Sequence, residues 1–368
     1  MAAITKLYAR FTGTEIFLEQ GRLLFSVLHA FASGGLQIHL FDNLADKDLD
    51  KYGKLVHGIP GLELTRDLPA DPADALYLYD RPDEALNRPP WPKRVQVRFD
   101  MFAPFWTSNP IIMPFPMHPL QSGVTPADLE ALRPSPRRMR IFFSGDTNHY
   151  GRVWVHHPRP KLPRLQIVNA IKARLGDALV LVQDTPALQT LKQAGYSRKC
   201  VITASSEVRI EFADWLGTLA QADFFLSPPG IVMPMCHNIV EAMAVGTIPI
   251  TNYPEWMDPH LEPGRNCLAF DEADDLIATL HRALAMEPTE IARMKANVID
   301  YYEKHLRPQT FVDRVLASPD KDLPILIYTE RNMAKNPKKL GRHSILMKGT
   351  TQPRPGRWFK RALSSYLG

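Results

Sequence analysis

The chain has 368 residues, 45% of them hydrophobic and 23% charged, enough for two units that each bury a core and too ordinary a composition for disorder over most of the length. Its net charge of +5 is unevenly placed: the last 38 residues hold ten Lys or Arg and no Asp or Glu, leaving 34 basic against 39 acidic residues before them. A mildly acidic body excludes a nucleic-acid-binding core, which would carry its basic stripe in the folded part.

The start, "MAAITKLYARFTGTEIF", lacks a basic region followed by an apolar run, and no stretch approaches the ~18 apolar residues of a membrane span. Neither export by a signal peptide nor integral insertion is expected. Three cysteines, Cys200, Cys236 and Cys267, without CxxC spacing suggest neither a disulfide framework nor a zinc knuckle, and point to a reducing cytoplasm.

Short β-rich runs alternate with helical patterns, the signature of parallel sheets covered by helices. The first half reads as strand "ITKLYARF", a helix from about Glu15 to Ala32, a stop at Gly34-Gly35, then strands "QIHLFDN", "LELT", "DALYLYD" and "KRVQVRFD". Next comes "MFAPFWTSNPIIMPFPMHPLQ", whose prolines forbid a central strand or helix and predict a long ordered crossing. The whole chain has 33 prolines, about 9% against the usual ~5%. "LRPSPRRMR" interrupts the apolar pattern and marks the expected boundary between units.

The second half opens on strand "MRIFFSGD" and continues with helix "RLQIVNAIKARL", strands "ALVLVQD" and "KCVITAS", and helix "EFADWLGTLAQAD". Strand "FFLSPP", helix "HNIVEAMA", strand "IPITNY" and a short strand "CLAFD" follow, and three helical patterns lead to about residue 318. The expected organisation is an α/β protein with an acceptor-side unit over residues 1–135, a donor-side unit over 136–318, and a basic tail over 319–368.

The stretch "SPPGIVMPMCHNIVEAMAVGTIPIT", from Ser227 to Thr251, carries the most chemistry. A strand followed by a turn and a helix is where an open parallel sheet binds ligands, and a helix start favours phosphate. His237 and Glu241 are four apart, Asn238 and Glu241 three apart, so they share a face. Ile239 and Met243 lie on another side, suited to the core, and Gly246 is the C-terminal stop. A carboxylate so placed accepts hydrogen bonds from the vicinal hydroxyls of a ribose, or simply faces solvent or a neighbouring loop.

"HNIVEAMAVGTIPIT", with "SPPG" upstream and "NCLAFDEADDLIATL" downstream, resembles the donor-binding segment of GT-B glycosyltransferases, especially exostosin-like and family 4-like members. The resemblance implies two Rossmann-like domains facing across a cleft and a nucleotide diphosphate sugar as donor. It carries over to Glu241 as the ribose-contacting residue, with Ala242, Gly246 and Pro249 matching beside it and Gly230 before the helix. The retaining family 4 pattern has a second glutamate seven residues upstream, where this chain has Pro234, so inversion is somewhat preferred.

Other candidates follow from position. "FFSGDTNHYGR" offers Gly145 for close backbone approach and Arg152 as a cation for the leaving diphosphate; Arg209 in "TASSEVRIEF" is a second cation, and Ser205 and Ser206 either cap the next helix or meet the base. The catalytic base of an inverting transfer is expected from the first half: Glu15 at the first strand-to-helix turn, then Asp100 after "VQVRF", with His118 third. No metal is expected, because "DKD" at Asp46 to Asp48 lies in a charged run and His149, His156 and His157 lack ligand spacing. No further cofactor is implied.

The tail ends in "GRWFKRALSSYLG", where Trp358, Ala362 and Tyr366 recur at four, as do Phe359, Leu363 and Leu367, flanked by Arg357, Lys360 and Arg361. This short amphipathic basic helix needs a surface, either an anionic membrane carrying a lipid-linked acceptor or the chain's own first unit. The expected activity is sugar transfer to a glycan or lipid-linked acceptor in surface-polysaccharide synthesis, in the cytoplasm or peripherally at the inner face of the membrane. The alternatives are a nucleotide-sugar epimerase and a non-catalytic glycan-binding scaffold of the same fold. A dinucleotide oxidoreductase is not expected, since no G-x-G-x-x-G turn follows a strand.

Overall fold

The computed structural model describes residues 3–41, 49–99, 110–148, 161–230, 234–327 and 329. In the first half, β1 (Lys6–Arg10) leads through α1 (Arg22–Ser33) to β2 (Gln37–Phe41), β3 (Leu62–Thr65), β4 (Ala75–Tyr79), β5 (Lys93–Arg98) and the short β6 (Ile111–Ile112). α2 (Pro126–Leu132) precedes the second series, which runs β7 (Met139–Gly145), α3 (Arg164–Arg174), β8 (Leu179–Val182), α4 (Thr185–Gln193), β9 (Ser197–Ala204), α5 (Phe212–Leu219) and β10 (Ala222–Ser227). It continues with α6 (His237–Ala244), β11 (Ile248–Thr251), β12 (Leu268–Ala269), α7 (Ala273–Ala285), α8 (Pro288–Tyr301), α9 (Pro308–Ala317) and β13 (Asp322–Leu326).

Two parallel sheets result. The first has the order β3-β2-β1-β4-β5-β13-β6, the second β12-β11-β10-β7-β9-β8. This is the expected α/β architecture of two Rossmann-like units. β1 and β5 alternate buried and half-buried residues, while every residue of the central β10 is buried, as a strand covered by helices on both faces must be.

Three expectations need correction. The first helix begins at Arg22 rather than Glu15, because Glu19, Gln20 and Gly21 all adopt left-handed backbone with φ of 59°, 61° and 76°. That turn breaks the pattern after a single 3₁₀ turn at Glu15–Phe17. Gly21 is required there, since a Cβ would stand 2.5 Å from the Gly53 backbone.

Between β8 and β9 a helix, α4, was not expected. Asp184 caps it by accepting from the Ala187 amide at 2.7 Å, and proline occupies its first turn. Parallel neighbours need such a crossover. Asp184→Ala is expected to lower stability by about 1 kcal/mol, read from urea unfolding, because it strands that amide.

The third correction concerns the end of the second unit and the start of the tail. α9 and β13 return to the first unit: Phe311, Val312, Val315, Leu323 and Ile325 lie in its core. Phe311 meets Phe31 edge-on at 5.8 Å, and Gly34 lies so close to α9 that a Cβ would come within 2.6 Å of Val312. β13 runs parallel between β5 and β6, paired residue for residue from Asp322–Arg94 to Leu326–Arg98. Its alternation of buried residues was present in the sequence but was hidden by the basic run after it. No helix of the described residues is long and apolar enough to cross a membrane.

Candidate functional site

In each sheet the strand order reverses across a central pair, β1 and β4 in the first and β7 and β10 in the second. Such reversals open a crevice at the carboxyl ends of the strands. The second crevice is bordered by Gly145 and Thr147 after β7 and by Ser227, Pro228, Pro229 and Gly230 after β10, so both expected glycines stand at it. A Cβ on Gly145 would lie 3.1 Å from the Phe143 ring and 3.7 Å from Arg164 Nη1, which brings an unexpected cation to this edge. Ser227 pairs with the buried Tyr253 hydroxyl at 2.6 Å.

α6 begins at the same edge, and its faces follow the 3.6-residue period. Ile239 and Met243 are wholly buried in the second core. Gly246, with φ 74°, ends the helix, and the Thr247 amide bonds back to the Ala242 carbonyl at 2.8 Å. His237 and Glu241 do share a face, directed at the proline-rich crossing. Asn238 is half-buried.

Glu241 is 1% exposed. Its Oε1 accepts from the His118 backbone N–H at 2.8 Å and its Oε2 from Trp215 Nε1–H at 2.6 Å. Burial pushes its pKa up to about 6, against the opposing pull of those two donors. The side chain does not face solvent; as the plain reading also allowed, it caps a neighbouring loop, at the His118 amide of the crossing, and each of its oxygens already accepts one hydrogen bond from the chain itself.

His237 is 8% exposed, and its Nε2 lies 2.8 Å from Arg22 Nη1. A guanidinium only donates, so Nε2 accepts and Nδ1 carries the proton that goes to the Pro116 carbonyl at 2.7 Å. Burial, then the Arg22 charge, hold the imidazole neutral, with a pKa of about 3. Arg22 is itself bonded to Glu19 in the left-handed turn before α1. Since α1 and α6 both start at carboxyl edges, this link brings the two edges face to face.

His118 lies in the same node. It stacks on Phe212 at 4.6 Å, meets His237 edge-on at 5.3 Å, and contacts the Tyr52 hydroxyl at 3.2 Å through Nε2. Burial and the charges of Arg22 and Lys51 lower its pKa to about 4. It is thus a half-buried histidine of the crossing, at the seam, and its ordinary backbone amide matters as much as its ring.

The first crevice is filled by the protein. The amides of Thr12, Gly13 and Arg81 converge on the Asp80 carboxylate at 2.9, 2.7 and 2.8 Å. Glu15 stands beside it, as its position predicts, but is paired with Arg81 at 3.0 Å. Burial pushes its pKa up, yet its own backbone N–H and Arg81 outweigh that and hold it below the usual carboxylate range. To serve as a base it must first leave Arg81.

Arg209 does not join either crevice. It is 83% exposed and paired with Glu211 at 2.7 Å on the surface. Ser205 and Ser206 do not cap α5, which starts at Phe212 with Glu211 at its cap. Asp100, Arg152, His149, His156, His157, Asp46 to Asp48 and the tail helix from Arg357 lie outside the described residues. Among the described residues, no group of three or more His, Cys, Asp or Glu is placed to hold a metal ion.

No protein-family model matches the chain, and no curated protein matches it. Solved structures with a similar course include HepE of Anabaena with UDP and glucose (13% identity, 86% of this chain and 100% of that one, TM-score 0.41). A glycosyltransferase of Rickettsia africae (9%, 86% and 97%, 0.45) and sucrose-phosphate synthase of Thermosynechococcus elongatus (13%, 84% and 97%, 0.42) are others.

Sequence reasoning missed Trp215, Arg22, Tyr52, Arg164 and Asp80. Only one left a local signal: Trp215, a large polar-tipped aromatic in "EFADWLGTL", needs a partner for its indole N–H when half-buried. The others gain their meaning from contacts across the seam or between strands.

Proposed function

We propose that the chain is a glycosyltransferase that moves a sugar from a nucleotide diphosphate sugar to a glycan or lipid-linked acceptor in surface-polysaccharide synthesis. The observation that carries this reading is the buried carboxylate of Glu241, on the helix after the switch-point strand of a parallel sheet, at the seam with a second such sheet. In this role Glu241 accepts the vicinal hydroxyls of the donor's ribose. The diphosphate lies along the second crevice, against Gly145, Gly230 and the start of α6 near His237 and Asn238, where unpaired helix N–H groups favour negative charge.

Arg152 and Arg164 neutralise the departing diphosphate, and Glu15 or Asp100 takes the acceptor's proton from the facing unit. With Pro234 in place of a second glutamate, the transfer inverts the sugar. The basic stretch after Glu330 brings the protein to an anionic surface that carries its acceptor.

Thermal-shift titration with UDP, GDP, CDP and dTDP tests the reading. At least one should stabilise the protein, and Glu241→Ala should weaken that nucleotide at least tenfold, about 1.4 kcal/mol. Unchanged affinity for every nucleotide would remove the ribose role.

A further inference from the structure

Two donors hold Glu241, and they come from different parts of the molecule. Trp215 is on α5, in the same unit and next to the same core. His118 belongs to the crossing that descends from the first sheet, where the Met113 amide bonds to the Leu326 carbonyl at 2.9 Å. Each oxygen keeps a second lone pair, but at 1% exposure a vicinal diol cannot reach either while both donors are seated. Trp215 can remain as a positioning donor beside a ligand, whereas the His118 peptide lies over Glu241 from the side of the facing unit.

We propose that the backbone N–H of His118 is a latch seated in the place of a ribose hydroxyl, so that nucleotide binding and the His118–Glu241 hydrogen bond exclude each other. This rests on the reading of Glu241 as the ribose clamp. The crossing is built to be displaced. Pro114, Pro116 and Pro119 carry no N–H, so this stretch cannot form a regular ladder; beyond its own turn, where the Gln121 amide bonds to the His118 carbonyl, side-chain contacts fasten it: His237 to the Pro116 carbonyl, Tyr52 and Phe212 to the His118 ring, and Gln121 Nε2 to the Phe212 carbonyl at 2.6 Å.

Behind the latch there is room. A cavity of about 180 Å³ is lined by Met117 and His118 together with His29, Phe25 and Phe311. Tyr302 and Leu306 also line it, and they belong to a π-helical turn, Tyr302–Leu306, of a kind that recurs at functional positions. Withdrawal of Met117 and His118 towards this cavity uncovers Glu241. A latched state lowers apparent nucleotide affinity by the fraction of molecules that are open.

His118→Pro removes the amide hydrogen alone from the backbone, and φ at His118 is −58°, which proline adopts. His118→Ala is its partner: it loses the ring but keeps the N–H. Calorimetric titration with UDP and GDP should show His118→Pro binding about tenfold more tightly than His118→Ala. Equal or weaker binding by His118→Pro, with Glu241→Ala still weakening the nucleotide, overturns the latch and leaves the clamp standing. Nucleotide binding that ignores Glu241→Ala, or none by any variant, overturns the clamp and the latch with it. Hydrogen exchange of the wild-type protein covers the case in which His118→Pro fails to fold: the Met117-His118 amides should lose protection when UDP or GDP binds, and unchanged or increased protection overturns the latch.

Discussion

Lowering the pH from 7 to 4 is expected to remove roughly 3 kcal/mol from the folding free energy through His237 alone. Burial, with Arg22 second, brings its folded pKa to about 3, while the unfolded chain takes up the proton near the ordinary 6.5. The stabilisation is therefore complete above pH 6.5 and drains as the pH falls towards 3. His118, lowered to about 4 by burial and by Arg22 and Lys51, acts in the same direction, screened by its partial exposure.

Glu241 opposes them. Burial raises it from 4.5 to about 6, so its contribution is present below pH 4.5 and is lost as the pH rises through 6, a difference of ~2 kcal/mol. The histidines win because their combined shift is larger. Urea unfolding at pH 7 and pH 4 reads the result: His237→Gln should lose about 3 kcal/mol less than the wild type between the two, and Glu241→Gln about 2 kcal/mol more. A His237→Gln difference equal to that of the wild type would mean that His237 titrates as an ordinary histidine.

Asp223→Ala is expected to cost the fold about 3–5 kcal/mol, since it leaves a buried cation without its partner. Arg140, on β7, is 1% exposed, with Nε 3.7 Å from Asp223 Oδ2 and Nη1 donating to the Met286 carbonyl at 3.1 Å. The Tyr196 hydroxyl also donates to Asp223, and burial, then Asp223, raises its pKa. This pair ties the amino ends of β7 and β10, the strands whose carboxyl ends border the second crevice. Asp223→Asn keeps the Tyr196 contact and should cost less. Replacing both charges, Arg140→Met with Asp223→Leu, should recover most of the loss in urea unfolding, because the penalty lies in the unpaired charge rather than in the absent attraction.

Much of the second unit was readable from local pattern. A fully apolar strand followed by a Pro-Gly turn and a helix led to β10, the crevice and α6, and the four-residue spacing led to the shared face of His237 and Glu241. These rest on periods of two and 3.6 residues, which act over a few positions. The late start of α1 was less readable, because Glu19 and Gln20 are not residues that announce a left-handed backbone. Residues 322–326 were assigned to a tail because a charge run of 38 residues dominates their surroundings, while the strand itself is five residues long.

By itself the sequence determined the alternation of strands and helices, the switch-point motif and the helix face on which Glu241 stands, because each follows from neighbours within a turn or a strand. Only the tertiary structure decided what that carboxylate touches. Its donors lie 123 and 26 positions away, at His118 and Trp215. A buried carboxylate must find donors, and which amide reaches it depends on how two sheets, a proline-rich crossing and a returning ninth helix pack against one another.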